Sequence, residues 1–237
     1  MNVKVEWFST GAKHAAEAGD LVVVVDTLRA SSFVATALAI GAEGVLPVTT
    51  VKEALRRHGL PGPLSGALLA GEVGGVKVKG FDFGNSPTEL LSRTGEVRGR
   101  TLILRSTMGT KAIQAAKAAG ADPVTVGCIL NARAVAAHAH DQCVKQGRGV
   151  SIVCCGFPPR QFAIDDFLGA GAIIDELPEE VERDEAALAA HLAFQSAKDA
   201  GELLDVVNRG RSARLLREIG QEAVSYTHLR AHETGRN

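Results

Sequence analysis

The chain has almost no net charge: 26 Lys and Arg stand against 27 Asp and Glu in 237 residues, leaving −1. A nucleic-acid-binding protein needs a basic surface, so that class of partner is not expected. There is no apolar run near the ~20 residues that a membrane-spanning helix requires, which argues against a membrane partner. The first residues, MNVKVEWFST, lack the apolar stretch of a secretion signal. Cysteines are few: Cys128, Cys143, Cys154 and Cys155. Their spacing fits no zinc site, and an adjacent pair suits no ordinary disulfide framework. A reducing cytoplasm is the expected compartment. What is present is a globular composition, 46% hydrophobic and 22% charged, sufficient for a substantial core and unlike a disordered chain.

A weak internal repeat organises the chain. LVVVVD (21–26) is a continuous β-branched run, the pattern of a strand buried on both faces. It leads into the polar loop TLRASS, a small-residue helix (33–42) and a second strand, GVLPV (44–48). The same order recurs at TLILRS (101–106), TMGT, KAIQAAKAAGA (111–121) and PVTVG (123–127). It recurs again at VSIVCCG (150–156), FPPR and QFAIDDFLGAGAIID (161–175). Repeated strand-loop-helix units predict an α/β fold with a mainly parallel sheet covered on both faces.

Other segments fit this frame. An amphipathic helix is expected over 51–59, ending at Gly59. Residues 68–85 are too Gly-rich for a regular element and too patterned for a linker. Ser86, Pro87 and Glu89 spell a helix start, with Ser as cap, Pro in the first position and Glu closing a capping box. A further helix is expected over 131–147 with Asn131 as its cap, and 179–220 reads as helical. One α/β domain is expected over 1–223. From about Val224 the composition breaks: VSYTHLRAHETGRN continues no periodicity and reads as a foreign, non-native tail.

In open parallel sheets ligands bind beyond the carboxyl ends of the strands, where helix N-termini favour anions. The loops to inspect are therefore Asp26 to Ser32, Ser106 to Thr110, Asn131, and Cys154 to Arg160, with Glu72, Lys77, Lys79, Asp82, Asn85 and Ser86 from the Gly-rich segment. Carboxylates, hydroxyls, an amide and cations together can hold a phosphate and a Mg²⁺. Asp26 closes a buried strand and could bind the metal, attack phosphorus or simply cap the next turn. Arg29 could fork onto a phosphate or sulfonate. Ser31, Ser32, Thr107 and Thr110 could equally be plain helix caps.

Three familiar phosphate motifs do not fit. The Asp-x-Asp of haloacid-dehalogenase-type phosphatases fails because Leu28 stands two after Asp26. Cys154 and Arg160 have the spacing of a Cys-based phosphatase loop, but Pro158 and Pro159 delete two of the backbone donors such a loop needs. No Gly-Lys-Ser/Thr closes the glycine run at 71–84 into a Walker loop.

Five segments in order resemble one family. VVVVDTLRASSFVATALAIGA is similar to the Asp-x-Leu-Arg-Ala-Ser/Thr-Ser segment of the 2-phosphosulfolactate phosphatases. GEVGGVKVKGFDFGNSPTE, STMGTKAI, CILNARAVA and VCCGFPPRQFAIDDFLGAGAIIDEL resemble that family's further blocks, from about Asp20 to Asp175, with a weaker echo to Gly220. The resemblance implies a three-layer α/β/α sandwich and is compatible with a homodimer. It implies a Mg²⁺-dependent enzyme that converts (R)-2-phospho-3-sulfolactate to 3-sulfolactate and phosphate, a step of coenzyme M biosynthesis.

On that basis Asp26, Glu72 and Asp82 are the expected metal ligands, and with Arg29 the expected catalytic set. Arg29, Lys77 and Lys79 would neutralise phosphate and sulfonate. Ser31, Ser32, Asn85, Ser86, Thr107, Gly109, Thr110 and Asn131 would complete the substrate site. Asp165 or Asp166 would either reach the metal or serve as helix-start charge. Met108 departs from the family pattern, which has Asn there, and the family chain runs on where this one turns into VSYTHLR. Two alternatives remain: another small phosphorylated acid as substrate, or a non-catalytic phosphometabolite-binding domain.

Overall fold

A computed structural model describes residues 1–221. The expected foreign tail, 224–237, lies outside the described residues. In chain order the elements are β1 (Asn2–Trp7), α1 (Phe8–Glu17), β2 (Leu21–Val25), α2 (Ala30–Ala39), β3 (Gly44–Val48), α3 (Val51–His58), β4 (Leu68–Val73) and β5 (Val76–Lys77). Then come α4 (Pro87–Ser92), α5 (Thr94–Val97), β6 (Thr101–Arg105), α6 (Gly109–Ala118), β7 (Val124–Gly127), a 3₁₀ turn (Ile129–Asn131), α7 (Ala132–Gln146) and β8 (Val150–Cys154). The last are α8 (Ile164–Asp175), β9 (Glu182–Arg183), α9 (Glu185–Asp199), α10 (Leu203–Arg209) and α11 (Arg211–Glu218).

The fold is α/β with parallel strands and helices on both faces, as the repeat predicts, but the strands divide into two sheets. The first has five parallel strands in the order β7-β2-β8-β1-β9. The second has the order β3-β6-β4-β5, parallel except for β5. The β2-α2-β3 unit starts in the first sheet and ends in the second; β6-α6-β7 makes the reverse crossing.

Strand alternation sorts the core. Val22 and Val24 face Ala12, Ala15, Ala112 and Ala116 of α1 and α6. Val23 and Val25 face the opposite layer of α7, α8 and α9. In the second sheet Leu102 and Leu104 pack with Phe33 and Leu90, while Ile103 packs with Ala54 and Phe81 on the other face. Among the described residues no helix is long and apolar enough to cross a membrane.

Helices α8 and α9 meet at Gly171, where an added Cβ would lie 2.2 Å from the Ala190 carbonyl oxygen and 2.6 Å from Phe194 Cβ. Backbone cannot retreat as a flexible side chain can. Gly171→Ala should therefore lose about 2 kcal/mol of stability, read as a lowered urea midpoint with the m-value unchanged.

Some local expectations need correction. Residues 68–85 contain regular structure: β4 and β5 form a hairpin closed by Gly74 and Gly75 at φ +59° and +86°, a backbone that favours glycine. Asn131 stands at the N-cap of α7 as expected, but its side chain makes no capping bond: its Oδ1 accepts from Cys128 N–H at 2.8 Å and its Nδ2 donates to the Val126 carbonyl at 3.1 Å. The start at Ser86 does form, with Pro87 in the first position and the Ser86 hydroxyl accepting from Glu89 N–H, but the Glu89 carboxylate accepts from Gly84 N–H at 2.8 Å instead of closing a capping box.

Candidate active site

Asp26 follows the fully buried β2 and is itself buried. Two helix starts hold it. Ala30 N–H of α2 donates to Oδ1 at 3.2 Å, and Gly109 N–H of α6 donates to Oδ2 at 2.8 Å. Its own N–H donates to Ser31 Oγ at 2.9 Å. Burial pushes the Asp26 carboxyl up from the ordinary carboxylate range, and the nearby Glu72 charge adds to this; the N–H donors of Ala30 and Gly109 oppose it. The two helix dipoles favour negative charge on the Asp26 carboxylate they hold and so work against the effect of burial.

Glu72, near the end of β4, ties the hairpin to the loop after β6. Its Oε1 accepts from Thr107 N–H at 2.6 Å, and its Oε2 from Thr107 Oγ1 at 3.0 Å and Gly75 N–H at 2.7 Å. The Arg105 guanidinium donates to the Glu72 carbonyl. Arg29 is buried and binds neutral oxygens, the Gly75 carbonyl at 2.7 Å and the Gln221 side chain. Burial lowers its pKa, while Glu72, Asp26 and Glu89 raise it. A guanidinium stays charged in such a setting, so Arg29 carries a positive charge that no bonded carboxylate cancels.

These groups line one cleft of about 80 Å³. Asp26, Arg29, Glu72, Asn85, Thr107 and Ser212 supply its polar wall. Leu28, Met108, Phe157, Pro158, Leu215 and Leu216 supply the apolar one. The Asn85 Oδ1 is buried without a hydrogen-bond partner among the described residues.

Comparison with known proteins decides the family. The profile of the 2-phosphosulpholactate phosphatase family matches residues 8–228. A protein of Carboxydothermus hydrogenoformans named "Probable 2-phosphosulfolactate phosphatase" is 41% identical over 198 residues, 84% of this chain and 76% of that protein. Proteins of the same name from Caldanaerobacter subterraneus and Thermotoga petrophila are 38% and 34% identical, each over 84% of this chain and 78% and 80% of their own lengths. The chain belongs to the 2-phosphosulfolactate phosphatase family. Its class is accordingly that of a phosphoric monoester hydrolase.

In this family member the cleft gathers Asp26, Arg29, Glu72, Asn85 and Thr107 of the residues expected at the site. Ser31, Gly109 and Thr110 stand behind Asp26, where they line a separate cavity. Ser32 Oγ donates to the Thr27 carbonyl at 2.8 Å, locking the loop. The other expected residues lie outside the cleft lining. Asp82 is exposed and accepts from Leu69 N–H at 2.8 Å. Lys77 binds the Asp82 carbonyl at 2.7 Å and Glu89 at 3.3 Å, and Lys79 is exposed. Ser86 is spent on its helix and Asn131 on its loop. Among the described residues no three His, Cys, Asp or Glu side chains are placed to hold a metal, so the set Asp26, Glu72 and Asp82 does not assemble.

Helix α11 contributes what the sequence reading missed. Ser212, Leu215 and Leu216 of α11 line the cleft, and Leu215 and Ile219 lie against Gly75. Their amphipathic spacing identifies a helix but not its destination. The Cys154 and Cys155 thiols are buried, and burial pushes both well above the usual thiol range, so neither is a ready thiolate.

Asp166 joins two loops, accepting from Thr27 N–H at 2.8 Å and Gly156 N–H at 2.7 Å. Beside it, burial pushes the Asp165 carboxyl from 3.8 up to about 6, and its Oδ1 has no partner among the described residues. Between those values the unfolded chain has released a proton that the folded chain keeps, so this group's contribution to stability falls as pH rises. Asp165→Asn removes that term. The variant should match the parent in thermal midpoint near pH 4 and exceed it above pH 7, measured across a buffer series.

Proposed function

We propose that this cleft hydrolyses (R)-2-phospho-3-sulfolactate to 3-sulfolactate and phosphate. The observation that carries the reading is the Asp26 carboxylate fixed between two helix N-termini, in one cleft with the Arg29 guanidinium. The names of the relatives support the substrate. Arg29 pairs with phosphate oxygens as charge shifts toward the leaving oxygen. Asp26 orients the attacking water and accepts its proton, a role suited to a carboxylate whose pKa is raised by burial. The water oxygen bonds to phosphorus as the P–O ester bond breaks; the leaving oxygen takes its proton from solvent, and Asp26 returns to solvent the proton it accepted. Glu72 positions Thr107 at the cleft wall through three hydrogen bonds involving that loop and the hairpin turn.

Charge balance supports a Mg²⁺ requirement. Arg29 is the cation in the lining, against Asp26 and Glu72. With Arg105 3.9 Å from Glu72 behind the lining, two guanidiniums only balance two carboxylates and leave no surplus positive charge for a substrate bearing phosphate, carboxylate and sulfonate. The partnerless Asn85 Oδ1 and the Asp26 carboxylate offer two oxygen donors, as Mg²⁺ uses when phosphate and water fill its other positions. Bound by them, Mg²⁺ would supply charge neutralisation at phosphate.

The test is phosphate release from 2-phosphosulfolactate, phospholactate and phosphoglycolate at equal concentrations. The highest kcat/KM is expected for 2-phosphosulfolactate. A higher value for either other acid reassigns the substrate, and no release from any of them supports a binding domain instead.

A further inference from the structure

The two sheets do not join. Edge strand β7 of the first and edge strand β3 of the second flank a gap that α2 and α6 both pack against. Within it, Val124 and Val126 of β7, Val45 and Pro47 of β3, Val34 of α2 and Ile113 of α6 line a cavity of about 220 Å³. An apolar cavity of roughly 150 Å³ holds benzene, so this volume accommodates an aliphatic chain of about six carbons.

The two ends of the cavity differ. One end is formed by Ala30, Ser31, Gly109 and Thr110. Ala30 and Gly109 donate the two hydrogen bonds that hold the Asp26 carboxylate, and Ser31 accepts from the Asp26 N–H. The other end is Lys117, in the last turn of α6. Lys117 is exposed, and its ammonium has no hydrogen-bond or ion-pair partner among the described residues. An aliphatic chamber with one cation at its mouth is complementary to a small aliphatic carboxylic acid, tail inside and carboxylate at the ammonium.

We infer that this cavity is a binding site for a short-chain aliphatic carboxylate, separate from the phosphate cleft and sharing a wall with the Asp26 cradle. Binding there bears on the positions of the α2 and α6 starts, and hence on Asp26. By linkage, any change it makes in the affinity of the cleft for phosphate is matched by the reverse effect.

The test is isothermal titration calorimetry of the full chain with hexanoate and with hexanamide, its uncharged counterpart. Hexanoate is expected to bind with the negative heat-capacity change of apolar burial, and saturating inorganic phosphate is expected not to displace it. Hexanamide should bind about fivefold more weakly, the scale of one solvent-screened charge contact. Lys117→Gln should weaken hexanoate by the same factor and leave hexanamide unchanged. Val34→Phe fills the chamber and should abolish both. No heat from hexanoate up to its solubility limit overturns the inference. So does hexanoate binding that persists in a folded Val34→Phe, or whose apparent Kd rises without limit as phosphate is raised, as competition for one site requires. Should Val34→Phe fail to fold, the surface variant decides: Lys117→Gln affecting both ligands equally, or neither, overturns the inference.

Discussion

Asp26→Asn should lower kcat for phosphate release by about a thousandfold or more while leaving the protein folded. Two consequences of one substitution add. The carboxylate charge is lost, and with it the group that orients and deprotonates water. The amide also mismatches its cradle. Ala30 N–H and Gly109 N–H both donate to Asp26, one to each oxygen, and an amide offers a single acceptor oxygen. Its NH₂ must face one of two donors, so the side chain turns or leaves an N–H unpaired. Stability should change less than activity, because burial disfavours the charged form that the substitution removes. Steady-state kinetics with circular dichroism checks both parts. A variant that keeps more than a tenth of the activity would remove Asp26 from the chemistry.

Gly109→Ala should cost about a hundredfold in kcat, the scale of a misplacement near 1 Å. A Cβ at this position would lie 2.7 Å from Asp26 Oδ2 and 3.0 Å from Ala30 Cβ. Gly109 opens α6, and its N–H is one of the two donors on Asp26, so the added methyl pushes away the side chain its own backbone holds. Its φ is not in the left-handed region, so alanine meets no backbone penalty, and helix propensity improves. The result expected is a loss of kcat with a thermal midpoint near that of the parent. A drop in midpoint that parallels the loss of activity would assign Gly109 to packing alone.

Much of this arrangement is legible before any coordinates. A run of four valines followed by Asp26 places a carboxylate at the end of a doubly buried strand, because a β-branched run without alternation needs cover on both faces. Ser86-Pro87-Thr88-Glu89 announces a helix start through local chemistry alone, and it forms. What depends on distant pairing is not legible. Lys77 and Lys79 alternate along the chain, yet β5 folds back on β4, pairing Lys77 with Glu72, and sends the Lys77 ammonium to Asp82 and Glu89. The two-sheet division is hidden for the same reason. A strand-helix-strand unit reads alike whether its second strand joins the same sheet or another. The N-terminal strand was readable but short: Val3 and Val5 alternate with polar neighbours and are buried, over only six residues. The contribution of α11 is beyond any local pattern, since Ser212 lies far from Asp26 in sequence and joins it in the cleft lining only through tertiary packing.

Phosphate release from 2-phosphosulfolactate, followed for the full chain and for Asp26→Asn with Mg²⁺ and then with excess EDTA, tests the cleft most directly. Release by the parent in Mg²⁺, stopped by EDTA and restored by added Mg²⁺, with none from the variant in either condition, is the predicted result. Equal release from parent and variant, or no release from a folded parent in Mg²⁺, would contradict the assignment of this cleft as the phosphatase site.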